Sequence, residues 1–527
     1  MNLKLAGACA IALLAAAGPA AQAPQDNPYE SAAPAVPRNA IDEAVFARLK
    51  SLNLRPGRVS SDAVFVRRAY LDVIGTLPTA DEARTFIGDQ DPSKRSALVD
   101  RLLERSEFAD YWAMKWSDLL RVKSEFPINL WPNAVQAYYR WIRASIRDNV
   151  PYDRFARDLL TASGSNFRDP PVNFYRAMQR RDPESIAASV ALTFMGARAE
   201  KWPQEQLAGM AAFFSAVGYK ATGEWKEEIV FFNPEKTAAA SELPAGAAVF
   251  PDGTKANLAP GQDPRVAFAA WLVAPNNPWF ARAAANRIWF WLMGRGIVEE
   301  PDDIRPDNPP SNPALLAVLE RELVGARFDL KHLYRLILNS TTYQLSPIPP
   351  AARPEAEASF ACALLRPLDA EVLIDAVDSI TGATEQYSSA IPEPYTFIPP
   401  DKRSIQVADG SITSSFLVAF GRSPRDTGLL SERDSRPTAA QRLYLLNGAD
   451  IQRKIQQGPG LQMLLAAGSG LRPTLLNLYL TILSRYPTAD EETAAGEYMQ
   501  AAGANRRLAA QDLAWALINS AEFRYRH

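Results

Sequence analysis

Cysteine and histidine are nearly missing from this chain, whose 527 residues contain two of each. Cys9 lies in an apolar leader, so Cys362 stands alone in the body. No intramolecular disulfide, cysteine-ligated metal site or thioether-bound haem can form there. His332 and His527 are too few for a histidine-ligated zinc centre, and their scarcity argues against a Ser-His-Asp triad. A dominant charge is lacking too: 57 basic and 59 acidic residues leave a formal net charge of −2. No field draws nucleic acid or an anionic membrane. Beyond the leader no stretch approaches the roughly 18 apolar residues of a membrane span.

The leader itself is a short positive start (Met1–Lys4), an apolar core over Leu5–Ala17 and small residues through Ala23. This is the pattern of a secretory signal peptide. Cleavage is expected after Ala20, since Pro24 hinders cutting after Ala23, and a periplasmic or secreted protein follows.

What is present is helical periodicity, with 47% hydrophobic residues. The expected fold class is mainly α: two helical domains with a small β insertion between them. The boundaries are 1–20 signal peptide, 21–40 disordered linker, 41–220 N-terminal helical domain, 221–262 β-containing linker and 263–527 C-terminal helical domain. A helix is expected to run on over Leu207–Val217. The insertion is read from Glu228–Pro234 and Ala247–Gly253, two short extended runs bracketed by turn residues. A weak repeat relates Arg68–Glu82 to Asn477–Glu491, each a helix followed by a Pro-Thr capped helix. It predicts duplicated units facing each other across the middle.

The densest chemistry lies in 275–343. Arg282, Asn286 and Arg287 put donors among aromatic residues, and Asp302, Asp303, Arg305, Asp307 and Asn308 form a proline-stiffened loop directly after. Ca²⁺ is one reading of that loop. Pairing of Asp302 or Asp303 with Arg282 or Arg287 is preferred, because Arg305 opposes a metal's charge, and no metal ligand is assigned. Arg422, Arg425, Glu432, Arg433 and Arg436 could hold an anionic group through bidentate forks, although alternating signs more often make a solvated network. Asp369, Glu371, Asp375 and Asp378 share a helix. Glu371 and Asp375 point the same way, so they do not face each other as glycoside hydrolysis requires, and they are expected to meet water. His332, Cys362 and most tryptophans read as structural. No catalytic residue is assigned.

These residues resemble the planctomycete-cytochrome-associated two-domain family (domains of unknown function fifteen-forty-nine and fifteen-fifty-three). The N-terminal likeness is carried by Phe65–Thr79, Trp116–Arg121 and Pro151–Phe155. Asn286–Trp289, Gly294–Val298, Asp302–Ser311, Phe328–Leu333, Ile337–Tyr343 and Arg366–Glu371 carry the C-terminal one. Similar proteins often hold Cys-x-x-Cys-His between a Phe-x-Gly and a Trp…Ala-Ala-Phe-Phe element. Here Phe194–Gly196 runs through Ala197–Lys201 to Trp202 without it, so haem c is excluded and no cofactor is expected. The resemblance implies a haem-less binding or assembly component with an envelope protein partner. The alternative is a periplasmic enzyme using Asp and Arg residues on a carbohydrate, for example a sulfated polysaccharide.

Overall fold

The computed structural model describes residues 27–239, 248–259, 261–398, 400–434, 436–466 and 470–527. The leader and its cleavage site lie outside them. The described chain is mainly α, and none of its helices is long and apolar enough to cross a membrane.

Local caps start many of the helices. The Thr79 hydroxyl accepts from Glu82 N while the Glu82 carboxylate takes the Thr79 N–H, opening helix Ala80–Gly88. Thr488 and Glu491 repeat this arrangement for Ala489–Ala501. Both boxes belong to the sequence repeat, and the copies touch. Arg84 donates to the Asn477 side chain at 2.9 Å, and buried Arg67 donates to the carbonyls of Ile482 and Phe523 at 2.9 Å each. Those carbonyls supply partners that a buried guanidinium would otherwise lack at high cost.

Three strands, β1 (Gly164–Ser165), β2 (Val217–Ala221) and β3 (Glu228–Phe232), form an antiparallel sheet in the order β1–β3–β2. A second pair joins β4 (Arg366–Pro367) to β5 (Tyr525–Arg526). β3 falls where an extended run is expected, but its partner does not. Within 248–253 there is no strand, only a bridge from Val249 to Lys255. The partner is β2, and the helix expected to continue to Val217 stops earlier, at Ala211. Gly218 suits the pairing: a Cβ there would stand 2.8 Å from the Phe231 ring, which instead lies directly against the glycine.

Residues 27–39 are likewise not the free linker expected. Ser31 N donates to Val59 O at 2.8 Å, Tyr29 Oη donates to Glu522 at 3.2 Å, and Asn39 caps helix Ala40–Ser51. Tyr29, Ser31 and Asn39 thus tie the segment to the body.

The two sequence halves share one hydrophobic core. Trp112 and Trp116 of helix Ser106–Leu119 each pack at 5.5 Å against Trp291 of helix Phe280–Met293. Tyr152 stacks on Phe280 at 4.7 Å. Cys362 is buried, and burial pushes its thiol up to about 11, an unreactive state.

Candidate functional site: a cleft between the sequence halves

The site begins with two loops stitched together. The helical run from Pro183 ends at Gly196, whose φ of +60° is left-handed. A Cβ at this position would meet Pro301 O at 2.9 Å, and Gly196 O accepts from Ile304 N at 2.8 Å. From the other side, buried Asn286 holds the turn after helix Phe280–Met293. Its Oδ1 accepts from Ile297 N and Val298 N at 2.8 and 2.9 Å, and its Nδ2 donates to Val298 O at 2.9 Å. Arg287 donates to Thr193 O at 2.8 Å, to Leu192 O at 3.1 Å and to Asp302 Oδ1 at 3.0 Å. The second Asp302 oxygen accepts from Leu430 N at 2.7 Å. Asn286, Arg287 and Asp302, offered by the sequence as binding groups, are therefore interior braces. Apart from the Arg287–Asp302 pair, their hydrogen bonds go to backbone groups.

Around these braces opens a cleft of about 690 Å³. One wall is Arg198–Gln206 from the N-terminal half; the other is Pro278–Arg282 with the loop from Asp303 to Pro310. Trp202 and Trp279 line it half-buried. Arg282, Asp303, Arg305 and Asp307, all named from sequence, meet here. Arg305 bonds both loop carboxylates, Asp303 at 3.1 Å and Asp307 at 2.5 Å, and Lys201 approaches Asp303 to 3.6 Å from the opposite wall. The Arg305 guanidinium thus already engages the two loop carboxylates that a Ca²⁺ would need. Among the described residues no group of three or more His, Cys, Asp or Glu side chains is arranged to hold a metal. Glu300 and Glu320 hold Arg198 (2.7 Å) and Arg282 (2.6 Å) without lining the cleft. The lining thus carries four cationic side chains (Arg198, Lys201, Arg282, Arg305) against two carboxylates (Asp303, Asp307). A small pocket of about 30 Å³ beside Trp112 and Tyr334 is mostly apolar and has room for little more than a water.

The second predicted cluster lies elsewhere, and inside. Arg425 is wholly buried and bonds Asp118 at 2.9 Å. Arg433 bridges Asp118 at 2.8 Å and Glu371 at 2.5 Å, and Arg422 approaches Glu371 to 3.4 Å. Glu432 turns inward to accept from Thr427 N at 2.8 Å, and burial raises its carboxyl. Of the five residues, only Arg436 stands in water, paired with Asp434. The alternating charges do form an ion-pair network, but a buried one and not the solvated one expected: the forks find carboxylates of the N-terminal half and the neighbouring helix. The network continues through Asp369, which bonds Lys115 at 2.9 Å and Arg526 at 2.8 Å, to Asp72, which meets Arg366 and Arg526 at 3.2 Å each. Burial lowers the Lys115 ammonium to about 8 against the pull of Asp369. Burial likewise opposes ionisation of Asp369, but Lys115, Arg526 and Arg433 outweigh it and hold the carboxyl far below its usual range.

The acids of helix Ala370–Thr381 do not face water as expected. Glu371 and Asp375 are buried, and Asp375 accepts from Ser404 N at 2.6 Å and Ile405 N at 3.1 Å. Asp378 is bonded by Lys454 at 2.5 Å, and Lys454 also meets Glu385 at 3.0 Å. His332 is half-exposed and pairs with Glu322 at 3.1 Å. Sequence reasoning missed Arg198, Lys201 and Trp202 as a wall of the cleft. The available signal was the shortened stretch from Gly196 to Trp202, the same stretch that lacks the haem motif.

The fold and cleft define a two-part, mainly helical protein whose halves are fused through one core. Residues 40–218 match the model described as protein of unknown function (DUF1549), and residues 264–499 match protein of unknown function (DUF1553). The chain belongs to the planctomycete-cytochrome-associated two-domain family. No curated protein and no solved structure matches it.

Proposed function

We propose that this is an exported, non-catalytic binding component of an envelope complex, and that its cleft takes an acidic saccharide. The observation that supports this most is the lining itself: two indoles set among four cationic side chains. Indole faces suit the apolar faces of sugar rings, and arginine forks suit sulfate or carboxylate groups. A hydrolytic reading draws less support. Glycoside cleavage needs two acids flanking one bond, whereas Asp303 and Asp307 lie on one loop and share Arg305.

The test is tryptophan fluorescence during titration with a heparin-derived hexasaccharide, with oligogalacturonate and with neutral maltohexaose. Saturable quenching by an acidic oligosaccharide, weakened in Lys201→Ala and Arg282→Ala and by added salt, is the expected result. Equal response to maltohexaose, or none to either acidic probe, rejects the reading. Release of reducing ends from the acidic probes would instead make the protein an enzyme.

A further inference from the structure

Separate from the cleft, three aromatic rings are gathered on the surface beside the small sheet. Trp131 precedes helix Pro132–Arg147, Trp225 lies in the β2–β3 connection and Tyr395 in the loop between helix Ala370–Thr381 and Ser404. Trp131 stands 6.2 Å from Trp225 and 6.0 Å from Tyr395, with ring planes at 82° and 60°. Trp225 is 68% exposed and Tyr395 56%, far above what a packed core ring shows. The Lys226 ammonium lies 5.0 Å from the Trp131 ring and 5.2 Å from the Trp225 ring.

Holding the rings there carries a conformational cost. Trp131 has φ +73° and Lys226 φ +61°, left-handed values that a bulky side chain rarely adopts. Glu125 ties the Trp131 loop to the Tyr395 loop, accepting from Ala390 N at 3.1 Å and Ser389 Oγ at 3.3 Å. Strain that the surroundings maintain to present exposed aromatic faces is characteristic of a binding site.

We propose that Trp131, Trp225 and Tyr395 form a stacking platform for an acidic polysaccharide chain, with Lys226 meeting its carboxylate or sulfate groups. Ring faces are negative and attract the C–H-rich faces of pyranose rings, while the ammonium complements the chain's charge. A polymer held here would extend the reach of the protein beyond one oligosaccharide. The acidic class of the ligand rests on the reading of the cleft; the stacking geometry does not.

The experiment measures retention of the full protein on immobilised polygalacturonate and on heparin, beside hexasaccharide binding in solution. Trp225→Ala with Tyr395→Ala removes two exposed rings and should leave the fold intact. Polymer affinity is expected to fall about tenfold, with the part of hexasaccharide binding that depends on Lys201 and Arg282 unchanged. Loss of hexasaccharide binding in every protein, with polymer retention still dependent on Trp225, removes the cleft reading and keeps the platform. Retention unchanged by the double variant, or no retention of the unaltered protein on either polymer, overturns the platform. Circular dichroism checks the fold, and Tyr395→Phe, which keeps the ring, is expected to retain polymer binding.

Discussion

Glu371 is fully buried, and burial alone would neutralise it. Arg433 and then Arg422 outweigh that penalty and hold the carboxyl at about 2. Replacing Glu371 by Gln leaves both guanidiniums short of countercharge in the interior. The expected cost is about 3 kcal/mol or more, read from urea unfolding at neutral pH. Asp378 behaves in the opposite sense. Burial, only partly offset by Lys454, raises it from 3.8 to about 6. A proton on this group therefore favours the folded state below its unfolded pKa, and that contribution is lost as pH rises through about 6. Lys454→Met should consequently destabilise more at pH 8, where Asp378 is left charged, than at pH 5, where it takes a proton. The difference is expected to be about 1–3 kcal/mol by thermal melts at the two pH values. An equal loss at both would mean that Asp378 is ionised throughout. Neither group's environment is readable from sequence. The Arg425–Asp118 bond spans 307 positions, so a string of charges at 422–436 looks the same whether it ends in water or in the core.

At the scale of elements, what depends on neighbours in sequence is legible and what depends on distant contacts is not. Thr79 and Glu82 announce a helix start because all partners lie within four residues. The swap of β2 for the 247–253 run is invisible, since it turns on the Phe231 ring passing over Gly218. Half of the candidate cleft was legible for the same reason: the loop from Asp303 to Asp307 is one contiguous piece, whereas its facing wall arrives from Arg198–Trp202. Gly196 is where these pieces meet. Gly196→Ala is expected to cost about 1–2 kcal/mol from the left-handed backbone and to force Pro301 O away. Oligosaccharide affinity should drop along with the melting temperature; a variant stable as before would show that the loop yields freely.

For the molecule as a whole, two family regions share one interior. Trp291 is wedged between Trp112 and Trp116, and Arg433 and Arg526 join carboxylates drawn from both regions. Scanning calorimetry should therefore record one cooperative transition, and a fragment spanning 264–499 should fail to show a native melt. Two resolved transitions would contradict the shared core. The pairing of β4 with β5 has one more consequence, which concerns the order of synthesis. Arg526 reaches Asp72 across 454 positions, so a growing chain carries Asp72 and Asp369 without this counterion until β5 has left the ribosome. A chain cut short of β5 would therefore hold an incompletely neutralised centre instead of being a shorter working protein.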